Sequence, residues 1–229
     1  MRAELRSFFG CDLHELPVVS RSFSTVELPN LQLAVDHFVD APGTRSWVIG
    51  YTSAMGAFQN DLRSLIADNP HVGEAQTSAA QYREVDIDVD SQMQCVENGI
   101  HLINAPCGRV AAHVRSDMMK RGLELEVMAS STELATQFLE HVRVRISEAN
   151  VFRGKIVSLE CAADVPGRDG FGQIRFHKFP NVSRDEIILP PETLEMLERN
   201  TVRFFQHADA LRRSGRSLKR GLLLHGKPG

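Results

Sequence analysis

Tyr82-Arg-Glu-Val-Asp-Ile-Asp-Val-Asp90 sets the fold class of this chain. In an extended backbone Val85, Ile87 and Val89 share one face, and Glu84, Asp86, Asp88 and Asp90 take the other. That period of two is the pattern of a half-buried strand. Asn98-Gly99 follows and signals a tight hairpin turn. Ile100–Asn104 and Arg109–Arg115 read as further strands, broken at Pro106-Cys-Gly108, and Leu123–Met128 alternates again. Residues 82–128 therefore read as an antiparallel meander of about four strands.

Helices flank this meander. Asn30 is placed as a cap, with Leu31, Val35, Phe38 and Val39 on one face and Ala41-Pro-Gly43 as the stop. Trp47–Tyr51 reads as a strand, and Gly56–Asp68 as a helix that turns Phe58, Leu62, Leu65 and Ile66 inward and stops at Asn69-Pro70. Ser131 or Thr132 caps a further helix with Leu134, Phe138, Val142 and Ile146 on its apolar face. Strands are expected over Val151–Leu159 and Gln173–Phe179, with a glycine-rich loop, Pro166–Gly172, between them. The expected organisation is a lead-in segment (1–24), either loosely packed or a short helix around Ala3–Phe9, then an α+β domain with a mostly antiparallel sheet (25–179).

Residues 180–229 have a different character. Pro190-Pro191 opens a helix that Ser214-Gly215 closes, since proline is tolerated in a first turn. Its apolar stripe is Leu194, Leu197, Thr201, Phe204 or Phe205, Ala208 and Leu211. A basic linker, Arg216–Arg220, leads to Leu222-Leu-Leu224, which reads as a short buried strand. The turn Gly226-Lys227-Pro228-Gly229 follows it, in the manner of the opening half of a phosphate-binding loop, G-x-x-x-x-G-K-[ST].

Charge and cysteine usage narrow the function classes. The net charge is −3 over 229 residues. Residues 201–229 carry seven Lys/Arg against Asp209, so the body before them is acidic. That asymmetry suits an anionic partner near the C-terminal end, such as nucleotide phosphates or an acidic neighbouring subunit, or simply a solvated basic helix end. No apolar stretch reaches the length of a membrane span, and the N-terminal residues lack a secretory apolar core. Cys11, Cys95, Cys107 and Cys161 form no C-x-x-C pair, which points to reduced thiols and a cytoplasmic protein. With 7% aromatic residues and no stacking residues interleaved in the basic cluster, nucleic-acid recognition is not expected.

The segment Asp185-Glu-Ile-Ile-Leu-Pro-Pro191, the helix to Gly215 and Leu218-Lys-Arg-Gly-Leu-Leu-Leu-His-Gly-Lys-Pro-Gly229 together resemble the entry to an AAA-type ATPase module. In that family a helix precedes an R-G-[LV]-L-L-x-G-P-P-G run that continues T-G-K-[ST]. Lys227 stands where the family usually has proline, and it is not the phosphate-binding lysine, which follows five residues later in the pattern. Asn150-Val-Phe-Arg-Gly-Lys155 and Arg175-Phe-His-Lys-Phe-Pro180 resemble, less specifically, the N-terminal regions of bacterial members.

The resemblance implies ATP and Mg2+ as cofactors, hydrolysis coupled to remodelling of protein substrates, a homo-oligomeric ring, and substrate or adaptor recognition by the N-terminal domain. It places Gly226, Lys227, Pro228 and Gly229 in the nucleotide loop. Ile187 and Ile188 match a segment that passes close to the adenine, although as apolar residues they also suit a core. The second glycine, the lysine and the metal-binding hydroxyl of the pattern lie beyond Gly229. The chain alone is therefore expected neither to hydrolyse ATP nor to bind it measurably, with Leu222–Leu224 poorly packed. The competing reading is a self-contained binding protein with a basic tail and no ATPase role.

Other constellations are weaker. Cys95, His101, Cys107 and His113 recur every six residues, and Cys/His sets bind zinc. The glycine and proline breaks between them argue instead for buried thiols and ordinary histidines. The carboxylates of 84–90 form a line rather than a convergent set, as expected of a wet strand face or a guarded sheet edge. Gly167, Gly170 and Gly172 lack the strand-then-helix context of a dinucleotide loop and read as a flexible loop.

Overall fold

The structure is a computed structural model that describes residues 1–52, 61–67, 75–117, 122–160, 173–219 and 221–225. It divides into two compact units, Met1–Lys178 and Phe179–Gly229.

The first unit is a mixed α+β structure built on a six-stranded, wholly antiparallel sheet. Helix α1 (Arg2–Phe9) precedes strand β1 (Val18–Phe23). Helix α2 (Leu28–Val39), strand β2 (Arg45–Thr52), helix α3 (Leu62–Ile66) and strand β3 (Gln76–Ser78) follow. Strands β4 (Gln81–Asp88) and β5 (Ser91–Asn98) pair only with each other. Strands β6 (Ile100–Ala105), β7 (Gly108–Asp117) and β8 (Gly122–Ala129) form the meander. Helix α4 (Thr132–Glu148) and a second ribbon, β9 (Ile156–Glu160) with β10 (Gln173–His177), complete the unit. The large sheet runs β1-β8-β7-β6-β2-β3.

Both faces of this sheet are covered. Val110, Ala112, Leu125 and Val127 pack with Leu31 and Val35 of α2 and Phe138 and Val142 of α4. Residues adjacent to them in sequence, Ala111 and Met128, pack with Leu5 and Phe8 of α1 and Leu62 and Ile66 of α3. Successive strand residues point to opposite faces, so two apolar cores enclose one antiparallel layer. Strand β8 is consequently buried at every position, although its sequence alternates Leu and Glu.

Capping fixes the helix ends. The Ser131 side chain accepts from the Leu134 N–H at 3.2 Å, so Ser131 is the cap of α4. Gly10, at φ 74°, ends α1, and an Arg109 guanidinium nitrogen donates to the carbonyls of Phe8 at 2.7 Å and Phe9 at 3.0 Å. Helix α2 begins before Asn30. Pro29 sits in its first turn, and Asn30 is fully inside, donating to Glu27 and accepting from the Val151 N–H at 2.8 Å.

Several expectations are corrected here. Residues 1–24 are not a loose lead-in, because Leu5, Phe8, Phe9, Leu13 and Leu16 are core residues and β1 pairs along its whole length with β8. The hairpin turn of the acidic strand is Val89-Asp90, where Asp88 pairs with Ser91. Asn98-Gly99 instead carries the chain from the small sheet into β6. A Cβ on Gly99 would come within 2.8 Å of Val48 Cγ1 and 2.9 Å of Val96 Cγ1, so close packing selects glycine there. Pro106-Cys107 is the true two-residue turn of the meander, joining Ala105 to its partner Gly108. Val151–Gly154 form a turn, and β9 starts only at Ile156. The expected helix ends at Gly56 and Asp68 lie outside the described residues.

The second unit holds a turn at Arg184–Glu186 closed by a Ser183–Glu186 capping box, then helices α5 (Pro191–Asn200), α6 (Val202–Gln206) and α7 (Ala208–Arg213). The single expected helix is thus broken at Thr201, whose backbone lies at φ −113°, ψ −87°, and at His207. Leu194, Leu197, Thr201, Phe204, Ala208 and Leu211 are the half-buried stripe, while Phe205 is 59% exposed. Leu222–Leu224 form no strand, and Leu223 is 95% exposed.

Candidate functional site

The nucleotide-loop residues Gly226, Lys227, Pro228 and Gly229 lie outside the described residues. Ile187 and Ile188 follow the capped turn and are 41% and 96% exposed. Neither packs into a core among the described residues. They present apolar surface shortly before Pro190, the residue that precedes α5.

A buried polar group among the described residues lies on the α1/α3 face of the main sheet. Cross-strand pairing sets His113 against Glu126 and Arg115 against Glu124. Arg115 Nε donates to Glu126 Oε1 at 3.1 Å, and its terminal nitrogen donates to Glu124 Oε2 at 2.5 Å. The Leu62 N–H, at the start of α3, donates to Glu126 Oε2 at 2.7 Å. Asp61 caps that helix by accepting from the Ser64 N–H at 2.9 Å and the Ser64 hydroxyl at 2.6 Å. The Tyr51 hydroxyl stands 2.9 Å from His113 Nε2, with the rings edge to face.

Electrostatics follow from this geometry. Burial, reinforced by the Glu126 charge, pushes the Tyr51 phenol up to about 12, so it stays protonated in its hydrogen bond with His113 Nε2. His113 Nδ1 lies 3.7 Å from Glu126 Oε2, too far for a hydrogen bond. Burial alone would raise the Glu126 carboxyl. His113, the Leu62 N–H and the Arg115 guanidinium outweigh it and hold the carboxyl below its usual range. His113 is fully buried and Glu126 is 5% exposed, while the Arg115 side chain, 24% exposed, reaches solvent. Its contacts pin α3 onto β7 and β8.

The candidate zinc set is not brought together. His113 packs on the α1/α3 face, and its neighbour in register, Ile100, shares that face. His101, the next residue along β6, points to the other face, where burial followed by the nearby His113 charge lowers it to about 4. Cys107 is exposed in the β6–β7 turn, and Cys95 is buried, its thiol pushed up to about 11 by burial and by Asp36. Among the described residues no group of three His, Cys, Asp or Glu is arranged to hold a metal ion.

The acidic strand is met by cations instead. Lys155 Nζ lies 2.8 Å from Asp88 and also donates to the Ile87 carbonyl, while Gln92 donates to Asp86 at 2.9 Å. Asp86 and Asp88 line a shallow depression with Ile174, Arg175 and Phe176. A second groove, of about 260 Å3, lies between α2 and α4 and is lined by Leu33, Asp36, His37, Asp40 and Arg145. On that surface His37 Nδ1 approaches His141 Nε2 to 3.3 Å with the rings stacked. Gly167, Gly170 and Gly172 lie outside the described residues. No helix among the described residues is long and apolar enough to cross a membrane.

The sequence reading weighed only His113 of the buried network. Its signal is present in retrospect: His113 and Arg115 on one strand, Glu124 and Glu126 on the next, all at the spacing that shares a face.

Comparison of the chain with protein-family models, with curated proteins and with solved structures finds no match.

Proposed function

We propose that Met1–Lys178 is the substrate- or adaptor-recognition domain of an AAA-type ATPase. Phe179–Gly229 is then the entry to its motor module, which binds ATP and Mg2+ in a homo-oligomeric ring and remodels proteins. The observation that carries this reading is the order of features on the second unit: a capped acidic turn, helices with a half-buried stripe from Leu194 to Leu211, a basic linker, and Arg220-Gly-Leu-Leu-Leu-His-Gly-Lys-Pro-Gly229. The exposure of Leu222, Leu223 and Leu224 suits a strand that a parallel sheet would cover on both faces.

The first unit supports a recognition role through its surface. The groove between α2 and α4 holds about 260 Å3, and an open depression lined by Arg143, Ile146, Ser147, Asn150, Phe152 and Arg153 holds about 520 Å3. The free thiols of Cys11, Cys95 and Cys107 suit a reducing, cytoplasmic setting.

In this reading the chain alone is not catalytic. The gene sequence that follows Gly229 tests it: Thr-Gly-Lys-Thr or Thr-Gly-Lys-Ser is expected. Any other continuation, a stop codon included, overturns the reading in favour of a self-contained binding protein. Calorimetry supplies the second check, because micromolar ATP binding by residues 1–229 would contradict the assignment of the phosphate lysine to the residues beyond.

A further inference from the structure

Helices α2 and α4 each bring one histidine to their shared surface. His37 Nδ1 stands 3.3 Å from His141 Nε2, the ring centroids are 5.2 Å apart and the ring planes differ by 26°. A straight N–H···N hydrogen bond of that length would set the centroids about 5.6 Å apart, so the ring axes bend off the N···N line. Two imidazoles bound at about 2.0–2.1 Å to one tetrahedral ion hold their nitrogens about 3.3 Å apart and their centroids about 5.2 Å apart. Both distances in this pair match that chelate.

The surrounding packing holds the two rings in place. Leu31 and Val35 of α2 and Phe138 and Val142 of α4 are buried in one core, which fixes the two backbones. The Phe38 ring packs T-shaped against His141, with centroids 5.2 Å apart, and against Phe138 at 4.8 Å. His37 is exposed and His141 half-buried, so an ion reaches the pair from solvent. Burial, then the His37 and Arg145 charges, hold the His141 imidazole below its ordinary range against the opposing pull of Glu148, which favours the neutral, ligating form. Arg145 is itself paired with Glu148 at 3.0 Å, and Asp36 and Asp40 line the adjoining groove with His37.

We propose that His37 and His141 form a two-histidine site for a divalent d-block ion, Zn2+ above all, which staples α2 to α4. The chelating form carries the ring protons on His37 Nε2 and His141 Nδ1 and leaves the two facing nitrogens free to bind. Imidazole suits Zn2+, Ni2+ and Cu2+, whereas Mg2+ and Ca2+ take oxygen ligands. Among the described residues no group of three His, Cys, Asp or Glu is arranged around an ion, so water fills the remaining positions. The site is independent of the nucleotide chemistry proposed above, which calls for Mg2+ and uses neither histidine.

Isothermal titration of the full chain with ZnCl2 tests it, with MgCl2 as the control ion. One equivalent of Zn2+ is expected to bind with a Kd below about 100 µM, and Mg2+ is expected not to bind there. His37→Gln and His141→Gln are each expected to weaken that equivalent at least about ten-fold, with circular dichroism unchanged. Zn2+ at about ten times its Kd is expected to raise the Tm of the wild type by about 4 °C and to leave both variants unmoved. NMR gives a reading free of any variant: the imidazole nitrogen resonances of His37 and His141 are expected to move together as Zn2+ is added. No saturable binding up to about 1 mM ZnCl2 overturns the proposal. So does a bound equivalent or a Tm rise that either variant keeps, or Zn2+ binding that leaves the resonances of these two histidines still.

Discussion

Strand β8 in the first unit and helices α5–α7 in the second show two different ways of treating apolar residues. All eight residues of β8 are buried, including Glu124 and Glu126, because strands β1 and β7 flank it and helices lie over both faces. In the second unit no described residue is buried, although Ile187, Ile188, Leu189, Met196, Val202 and Phe205 are all apolar. What separates them is the number of covering layers, not the local richness in hydrophobic residues. A group removed from around β8 leaves a void, whereas a group removed from α6 leaves only water.

The comparison can be broken by mutation. Phe138→Ala, at the α4 face of the sheet and 1% exposed, is expected to lower stability by about 4 kcal/mol in urea denaturation. A loss below about 1 kcal/mol would mean that this core is loosely packed. Glu126→Ala removes the acceptor of Arg115 and of the Leu62 N–H and is expected to cost about 3 kcal/mol. Hydrogen exchange would show α3 losing protection first, and uniform loss across the sheet would contradict the pinning role.

His101 gives a pH-dependent version of the same contrast. The folded first unit resists protonating it, while the unfolded chain takes the proton near its ordinary value of about 6.5. The stability tied to neutral His101 is therefore complete above that value and is lost as pH falls toward about 4, amounting to about 3 kcal/mol at the lower end. Urea midpoints measured from pH 7 to pH 4 should fall more steeply in the wild type than in His101→Gln, and equal slopes would remove His101 as the cause. The smallest effect belongs to the second unit: Phe205→Ala should change the stability of the chain by less than about 0.5 kcal/mol, and a larger loss would reveal a packed environment around α6.

Local pattern made α1, α2, α4 and the meander β6–β8 legible, because each has a clear period and most have a cap or turn. It failed where a neighbour distant in sequence decides. Val18–Phe23 lacks a clean alternation and becomes a strand only by pairing with β8. The Leu-Glu alternation of β8 suggested one wet face, which α1 and α3 cover. Asn98-Gly99 carries a strong turn signal, yet the contacts with Val48 and Val96 set its role. The buried network draws Tyr51, Leu62, His113, Arg115 and Glu126 from four elements, so no contiguous motif could announce it.

The pairing of β1 with β8 has a kinetic consequence. Strands β6, β7 and β8 are joined by successive hairpins, so their ladder assembles from neighbours along the chain. Val18 meets Met128 across 110 positions, a loop whose closure entropy must be met before any of those contacts is rewarded. Strand β1 is thus expected to dock late, after the transition state. Substitutions in β1 would then speed unfolding and leave the folding rate nearly unchanged, whereas substitutions in the β7–β8 hairpin would slow folding.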